Sequence, residues 1–272
     1  MQKIDNSVNL IARLSKKRSK TVHKSDRQNE IYSIMSEKGF VSVKELSERL
    51  YTSESSIRRD LAILEKRGVV KRSYGGAHVI NSVETVIPFG MRTYKNVEAK
   101  KLIAKKAVSL ISNGDIVFLD QTSTSYFLAV EILKSKFCTV VTNNREIVNL
   151  LSGSDMTVIS SGGVVSRANN NCLIGQNACR TFEEIFADFA FFSAKALLAD
   201  GTVADFSEEE VFVRRSMFKT AAKTVFMCDS SKFGARSGYK QTDLSEIDFL
   251  ITEKEPTEPF LKGIKNFNGT II

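Results

Sequence analysis

The chain has 272 residues, 42% of them hydrophobic and 26% charged, with a formal net charge of +8. This length allows one large domain or two ordinary ones, each with its own core. No stretch approaches the roughly 18 consecutive apolar residues of a membrane span, and no apolar signal-peptide core lies near the N-terminus, so the sequence predicts a cytoplasmic protein without a membrane partner.

The cysteines and histidines argue against a metal site. The four cysteines show no C-x-x-C spacing, and only two histidines accompany them: Cys138, Cys172, Cys179, Cys228, His23 and His78. The spacing that a Cys/His zinc site needs is therefore missing. We expect the cysteines to be small buried hydrophobic residues in a reducing compartment, and we expect neither a metal nor a cofactor.

The positive charge is concentrated in the first third of the chain. Residues 1–80 hold 17 Lys and Arg against 9 Asp and Glu, whereas residues 81–272 hold 22 of each kind. A small basic module joined to a larger neutral one predicts an anionic partner for the first part only.

Residues 1–24 form a basic N-terminal extension. Their apolar residues fit at most a short amphipathic helix, and nothing else indicates a packed element. We expect a disordered tail, with a DNA-contacting arm as the alternative and an organelle-targeting segment as a third possibility. The basic residues of the cluster are Arg13, Lys16, Lys17, Arg18, Lys20 and Lys24.

Three helical patterns follow in quick succession within residues 25–80. "SDRQ" at 25–28 has capping-box spacing and begins a helix that Gly39 ends, and "SVKE" at 42–45 is a second capping box. Ser53 is placed to cap a third helix shortly afterwards. The short spacing between the second and third helices is typical of a helix-turn-helix.

The third helix has two distinct faces. Ile57, Leu61 and Leu64 form a narrow apolar stripe at helical spacing, so they must face the other two helices. The opposite face combines small polar and basic residues: Ser55, Arg59, Ala62 and Lys66, with Ser56 to one side and Arg58 at the edge. This face suits the DNA major groove, because arginine can fork onto guanine or a phosphate while serines allow close approach. The alternative is an ordinary solvated helix face.

"GVVKRSYGGAHV" predicts a strand, a tight turn at Gly75–Gly76 and a second strand. Basic residues on this hairpin would meet phosphates if it is a DNA-binding wing; otherwise it is an ordinary hairpin with exposed lysines. The candidate DNA-contacting residues of the whole module are Lys44, Ser53, Ser55, Ser56, Arg58, Arg59, Lys66, Lys71 and Arg72.

The stretch "FVSVKELSERLYTSESSIRRDLAILEKRGVVKRSYGGA" resembles the N-terminal winged helix-turn-helix of the DeoR family of bacterial transcriptional regulators. The residues 57–61 (IRRDL), Leu64-Glu65 and Gly75-Gly76-Ala77 carry the resemblance. Two departures are Tyr74, where a histidine is usual, and Ser56, where a threonine is usual. The resemblance implies that the third helix reads double-stranded operator DNA, whereas Arg58 could equally brace Glu54 or Glu65.

Residues 81–95 have little periodicity and are predicted to be a linker. From residue 96 to 272, helices alternate with short apolar strands, which predicts a Rossmann-like α/β domain with a parallel sheet. The helices are expected at 96–111, 125–133, 144–151, 176–186 and 207–220, and the strands at "IVFLD", "CTVVTN", "MTVIS", "FAFFSAK", "TVFMCDSSKFG" and "DFLIT".

Polar residues follow the predicted strands at their C-terminal ends, where ligands bind in such sheets. Hydroxyls, glycines and amides at helix N-termini favour phosphate, lysines add counter-charge, and Asn or Asp side chains can bind sugar hydroxyls. Each loop taken alone fits an ordinary cap or turn; together they predict a site. The candidate effector-binding residues are Asp120, Gln121, Thr122, Ser123, Thr124, Asn143, Asn144, Gly162, Gly163, Lys195, Asp229 and Lys232.

This half resembles the C-terminal sensor domain of the DeoR family. The matching stretches are "IVFLDQTSTS", "VVTNN", "SGGVV", "LIG", "DSSKFG" and "FFSAKALLADGTVADFSEEEVFVRRSMFKTA". The resemblance implies a fold related to ribose-5-phosphate isomerases and an effector that is a phosphorylated sugar or related metabolite. Gln121 stands where the family usually has glycine, and its longer side chain could fill part of the pocket.

The sequence thus predicts a transcriptional regulator, in the first place a repressor of carbohydrate-metabolism genes, whose operator binding a phosphorylated sugar modulates. Because helix-turn-helix modules act on paired half-sites, we expect a homodimer or homotetramer. One alternative is a sugar-phosphate isomerase-like enzyme fused to a DNA-binding module, with Asp120, Asp229 and Lys195 as candidate acid–base groups. Another is a sequence-independent DNA binder whose large domain only dimerises.

Overall fold

The computed structural model describes residues 24–80, 87–257, 260 and 267–272. The chain divides into two units, Met1–Asn81 and Ser82–Ile272. Of the predicted basic extension, only Lys24 is described, as the first residue of a helix, and residues 81–86 of the predicted linker lie outside the described part. None of the described helices has the length and apolar character needed to cross a membrane.

The first unit contains the three predicted helices and a small antiparallel sheet. The helices are α1 (Lys24–Lys38), α2 (Val43–Arg49) and α3 (Glu54–Lys66), and the strands are β1 (Phe40–Ser42), β2 (Val70–Ser73) and β3 (Gly76–Val79). The strand order is β1-β3-β2, so the predicted hairpin is present and the unpredicted β1 adds a third strand. Gly39 ends α1 with φ 77°, a left-handed conformation that favours glycine.

One of the three predicted helix caps is present in the structure and two are not. Ser42 caps α2 as predicted, its Oγ accepting a hydrogen bond from the Glu45 N–H at 3.1 Å. The first capping box is wrong, because α1 begins at Lys24 and residues 25–28 lie inside it. Ser53 holds the N-cap position of α3 without a side-chain cap, because its hydroxyl contacts the hydroxyls of Ser55 and Ser56 instead.

The second unit contains a seven-stranded parallel sheet with the order β15-β14-β12-β9-β4-β5-β6. These strands are β4 (Ile116–Leu119), β5 (Thr139–Thr142), β6 (Val158–Ser160), β9 (Ala187–Phe192), β12 (Ala221–Met227), β14 (Phe249–Ile251) and β15 (Thr270–Ile271). Shorter strands form a hairpin of β7 (Val164–Val165) with β8 (Leu173–Ile174), and an antiparallel sheet of β10 (Ala196–Leu197), β11 (Thr202–Asp205) and β13 (Tyr239–Asp243).

Helices cover both faces of the large sheet, as its continuous apolar strands require. The helices are α4 (Phe89–Tyr94), α5 (Val97–Val108), α6 (Ser123–Ser135), α7 (Arg145–Leu151), α8 (Gln176–Glu183) and α9 (Glu208–Thr220). Successive residues of β4 point to opposite faces: Val117 and Leu119 pack with α5, α6 and α7, whereas Phe118 packs with α8 and α9. The predicted mixed α/β architecture is therefore confirmed.

Two sequence expectations need adjustment here. Residues 89–94, expected within the linker, form α4, whose Met91 is fully buried. The short strands β7, β8, β10, β11 and β13 were not predicted, because two to five residues give too little periodicity to recognise. Cys138, Cys172 and Cys228 are buried as expected, and Cys179 is partly buried.

The strand order of the sheet locates its ligand-binding edge. From β4 the chain proceeds to β5 and β6 on one side, and then returns to place β9 on the other side of β4. In open α/β sheets such a reversal leaves a crevice at the carboxyl ends of the two central strands. The loops after β4 and β9 therefore border the expected site.

Candidate functional site

The outer face of α3 carries two adjacent arginines in different electrostatic states. Arg58 Nη2 lies 2.7 Å from Glu54 Oε2, one helical turn away. Among the residues that the structure describes, Arg59 contacts neutral groups only: Ser56 Oγ at 3.1 Å and the Ser55 carbonyl at 3.4 Å. Among the described residues no carboxylate lies within 4 Å of its guanidinium, so Arg59 presents an uncompensated charge on an exposed face.

A buried carboxylate orients this helix. Asp60 is fully buried, and it accepts hydrogen bonds from Arg27 Nε at 2.6 Å and Gln28 Nε2 at 3.1 Å, both on α1. A carboxylate buried next to a partner is held in place, because losing that partner would leave a charge without water. This contact fixes the rotation of α3, and with it the direction of Arg59.

The hairpin is tied to the same helix. Glu65 on α3 accepts hydrogen bonds from the Arg72 N–H at 2.9 Å and Arg72 Nε at 2.6 Å, and these bonds lower the pKa of Glu65. The charge of Arg72 is thus offset, while Lys71 is exposed and Tyr74 stands fully exposed in the turn. Of the remaining predicted DNA-contacting residues, Lys44, Ser53, Ser55 and Lys66 are exposed and Ser56 is partly exposed.

The second unit holds a cavity of about 200 Å³ at the carboxyl ends of β4 and β9. Its polar wall consists of five cationic side chains, three carboxylates, four hydroxyl groups and one amide: Arg92, Lys95, Lys100, Lys195, Lys232, Asp205, Glu210, Asp229, Thr122, Ser123, Thr124, Ser231 and Asn96. The apolar remainder comes from Ile87, Ala194, Phe206 and Ala235.

The N-terminus of α6 opens onto this cavity. Thr122 is its N-cap, with a hydroxyl that accepts from the Ser125 N–H at 3.3 Å. The N–H groups of Ser123 and Thr124 have no acceptor among the described residues. Free amides at the positive end of a helix, beside two hydroxyls, form an anion-binding arrangement.

The carboxylates of the cavity are already engaged. Asp205 lies 2.6 Å from Nη2 of the fully buried Arg214, and Glu210 lies 4.0 Å from the same nitrogen. Asp229 lies 3.4 Å from Lys232 and accepts from Asn96 Nδ2 at 2.9 Å. Burial alone would raise the pKa of Asp229, but Lys232 and the hydrogen bonds lower it to about 2.

The cations are under-compensated by comparison. Lys100 is buried and donates to the carbonyls of Arg92 and Lys95, and burial together with Lys232 lowers its pKa to about 7. Burial and the neighbouring Lys95 lower the pKa of Lys195. No carboxylate lies within 4 Å of Arg92, Lys95 or Lys195 in the described part of the chain, so this cavity has the electrostatics of an anion site.

The structure brings six of the predicted effector-binding residues to the cavity wall: Thr122, Ser123, Thr124, Lys195, Asp229 and Lys232. The other six lie away from it: Asp120, Gln121, Asn143, Asn144, Gly162 and Gly163. Asp120 accepts from the Thr122 N–H, the Thr122 and Ser125 hydroxyls and the Ser193 N–H, so it shapes the loop. Asn144 caps α7.

Gln121 does not fill the cavity, contrary to the expectation from its size. Its side chain is fully buried, donates to Glu210 Oε2 at 2.8 Å and accepts from Asn143 Nδ2 at 3.3 Å. Asn169 donates to the second oxygen of Glu210 at 3.0 Å. Gln121 therefore holds a carboxylate of the wall from behind.

Sequence reasoning missed seven polar residues of the wall: Arg92, Lys95, Asn96, Lys100, Asp205, Glu210 and Ser231. The basic residues of "FGMRTYKNVEAKK" were a signal that the lack of periodicity concealed. Within the described ranges, no cluster of His, Cys, Asp and Glu is arranged to hold a metal ion.

Comparison with known proteins agrees with both units. Residues 27–83 match the DeoR-like helix-turn-helix domain, and residues 95–254 match the DeoR C terminal sensor domain. The chain is 34% identical to the HTH-type transcriptional regulator GolR of Listeria innocua, over 89% of this chain and 95% of that protein. It is 29% identical to the glycerol-3-phosphate regulon repressor of Escherichia coli K12, over 85% of this chain and 92% of the repressor.

Among solved structures, ribose 5 phosphate isomerase A from Neisseria gonorrhoeae is similar to 51% of this chain and 54% of its own, with 18% identity and a TM-score of 0.38. These two relatives match most of the chain and carry the names of regulators, and the matched N-terminal domain binds DNA, so the isomerase alternative is not favoured. With both domain models matched in order and GolR similar along nearly its full length, the chain belongs to the DeoR family and is a DNA-binding transcriptional regulator.

Proposed function

We propose that the protein represses genes of carbohydrate metabolism and that a phosphorylated sugar, bound in the cavity of the second unit, changes its affinity for operator DNA. The observation that carries this proposal is the wall of the cavity: five basic side chains and the free N-terminus of α6 line it, against three carboxylates that already have partners. The name of one relative, a repressor of the glycerol-3-phosphate regulon, supports the same chemical class.

The two kinds of charge in the wall suit the two ends of a sugar phosphate. The phosphate would accept hydrogen bonds from the N–H groups of Ser123 and Thr124 and from the cations around them. Asp205, Glu210 and Asp229 offer carboxylate oxygens to sugar hydroxyls, which are donors as well as acceptors. An uncharged sugar would leave Arg92, Lys95 and Lys195 without an anionic partner, which favours a phosphorylated ligand.

On the DNA side, we assign base reading to Arg59 and phosphate contacts to Lys44, Lys66 and Lys71. The exposed serines of α3 allow the helix to approach the base edges closely. Arg58 and Arg72 form ion pairs within the protein, with Glu54 and Glu65 respectively. We propose a homodimer or homotetramer that places two copies of α3 on paired half-sites.

Effector and operator are coupled by linkage. An effector that binds better to the DNA-incompetent arrangement must lower operator affinity by the same factor by which operator lowers effector affinity. This reciprocity makes DNA binding a readout for the cavity.

The test is fluorescence anisotropy on DNA from upstream of the protein's own gene and on a shuffled duplex, at near-physiological salt. Each titration is run with and without a pool of ribose 5-phosphate, fructose 6-phosphate, fructose 1,6-bisphosphate and glycerol 3-phosphate. We expect preference for the upstream DNA, and we expect the pool to change it. Lys232→Met should abolish the response, whereas Lys134→Met, on an exposed lysine paired with Glu131 and outside the cavity wall, should retain it.

Equal affinity for the two duplexes, with a steep salt dependence on both, would indicate a general DNA binder instead. Preference for upstream DNA without any response to the pool would remove the phosphorylated sugar from the proposal and leave the regulator.

A further inference from the structure

Arg92 lies on α4 and lines the cavity, although neither matched domain, 27–83 nor 95–254, includes it. Its guanidinium carbon is 5.5 Å from the centroid of the Phe89 ring on the same helix. Phe89 in turn packs edge-on against Tyr126 in the first turns of α6, with the ring centroids 5.8 Å apart. Through Phe89, Arg92 therefore packs against α6, the helix whose N-terminus opens onto the cavity.

Two of the three guanidinium nitrogens of this side chain are left without partners. Arg92 Nε and Nη2 are both buried and have no hydrogen-bond acceptor among the described residues. The backbone around them is nevertheless firmly held, since Lys100 Nζ donates to the carbonyls of Arg92 and Lys95 at 2.5 Å each. Buried donors are rarely left unpaired, so two of them on one guanidinium indicate that an acceptor is missing.

The two unpartnered nitrogens identify the kind of group that is missing. The Nε–H and the neighbouring Nη2–H point from the same edge of the planar guanidinium, and this edge matches two oxygens of one phosphate or carboxylate. An uncharged hydroxyl could satisfy one of these donors but would leave the charge uncompensated. The vacant edge therefore selects an oxyanion.

The geometry points to Arg92 as a bidentate clamp for the oxyanion of the effector, and to α4 as the helix that this contact fixes. The inference rests on the proposed function, because it assigns a ligand group to the same cavity. It adds a binding residue and a route of regulation: α4 is the first described helix of its unit, and only residues 82–88 separate it from Asn81, the last residue of the DNA-binding unit.

The other cations of the wall are less suited to this role. Lys232 donates to Ser193 Oγ at 2.6 Å and lies beside Asp229, and Lys100 is bound to two carbonyls. A lysine also offers a point charge without a fork. Arg92 combines a guanidinium fork with two nitrogens that have no acceptor among the described residues.

The experiment compares the full-length wild type with Arg92→Lys, Arg92→Met and the control Arg180→Met. Arg180 is an exposed arginine on α8 outside the cavity wall. The operator anisotropy assay is repeated with each phosphorylated sugar named above, and melting temperatures are measured with and without inorganic phosphate. The affinity of each variant for operator is also measured without ligand, where Arg180→Met should match the wild type.

We expect the active sugar phosphate to bind Arg92→Met about 10- to 100-fold more weakly, the range for losing charge-assisted hydrogen bonds. Arg92→Lys should recover only part of this loss, because it restores charge without the fork. Without ligand, Arg92→Met should melt at the same temperature as the wild type or higher, since it removes two buried donors that have no acceptor. Arg180→Met should respond to the ligand normally.

The two proposals fail differently. If the wild type responds to a sugar phosphate and Arg92→Met responds at the same concentration, the clamp is refuted and the proposed function stands. A lower melting temperature of Arg92→Met with an undiminished phosphate-induced rise would assign Arg92 to packing on Phe89 and also refute the clamp. If no sugar phosphate acts on the wild type, the proposed function fails, and the clamp survives only if inorganic phosphate raises the melting temperature of the wild type and not of Arg92→Met.

Discussion

Arg58 and Arg59 offer a direct test of how α3 uses its charges, because the two residues are neighbours on one helix and differ in their partners. Glu54 holds Arg58 at 2.7 Å, whereas the contacts of Arg59 within the described part of the chain are with neutral groups. Arg59→Ala should therefore lose about 1–3 kcal/mol of discrimination between operator and shuffled DNA, the value of one bidentate contact with a base pair. This loss corresponds to roughly a 5- to 150-fold change in the affinity ratio.

Arg58→Ala should behave differently. Its exposed ion pair with Glu54 is worth less than about 1 kcal/mol, and any contact it makes with DNA would be to a phosphate. We expect a loss of affinity that is equal on both duplexes and a salt slope reduced by about 1, the mark of one lost phosphate contact.

The assay is anisotropy on both duplexes across a salt series, with Arg59→Lys as a further variant that keeps the charge and removes the fork. Arg59→Lys should lose discrimination nearly as Arg59→Ala does. If Arg59→Ala weakened both duplexes equally, Arg59 would be a phosphate contact and the assignment of base reading would be wrong. If Arg58→Ala lost the greater discrimination, the roles of the two residues would be reversed.

Three further predictions concern the second unit. Arg214→Met should lower the free energy of unfolding by about 3–5 kcal/mol, seen as a fall in Tm of roughly 6–20 °C, because it leaves the buried carboxylates of Asp205 and Glu210 without their cation. The control Arg215→Met, at the exposed neighbouring residue, should lower Tm far less. Equal falls in Tm would refute the buried ion-pair argument. Because the folded pKa of Lys100 is about 7 and the unfolded value is about 10.5, the unfolded chain binds the extra proton between these values. Lys100 alone should therefore raise the free energy of unfolding by roughly 2 kcal/mol from pH 7 to 9. Urea unfolding of the wild type and Lys100→Met at both pH values checks this. The same change in unfolding free energy with pH in both proteins would contradict it. Gly163→Ala should lower the free energy of unfolding by about 1–3 kcal/mol, since φ is 101° and a Cβ would lie 2.5 Å from the Ile174 carbonyl. The control Gly153→Ala, where a Cβ meets open space, should be neutral or stabilising by up to about 1 kcal/mol. If urea unfolding finds Gly163→Ala as stable as the wild type, the loop relaxes around the new Cβ.

The features that the sequence predicted well are those that local pattern determines. Ile57, Leu61 and Leu64 recur at helical spacing, and all three are buried at 1% exposure or less. The apolar strands of the large sheet were likewise recognisable, because both of their faces are covered. Their loops then placed Thr122 to Thr124 at the start of a helix, where free N–H groups lie whatever the tertiary details.

The parts that could not be predicted depend on segments that are distant in the sequence. Arg92 comes from a stretch with no periodicity, which forms a helix of six residues only because Met91 and Phe89 pack against the rest of the unit. Glu210 lies within an amphipathic helix and Asp205 at the end of a four-residue strand, so neither position marks a site. Only the fold brings these residues to one cavity.

The polar residues at the strand ends show why residue type alone does not identify a ligand site. Asp120, Gln121 and Asn144 have the chemistry expected of ligand-binding groups, yet their oxygens and amides are already bound within the protein. A group whose hydrogen bonds are complete can bind a ligand only by breaking them, and this loss reduces the free energy gained on binding. In the cavity wall, as far as the structure describes it, the groups left incomplete include the N–H groups of Ser123 and Thr124 and the Nε–Nη2 edge of Arg92, all of them donors. Unfulfilled donors, rather than polar residues as such, are therefore the basis on which we propose an oxyanion at this cavity.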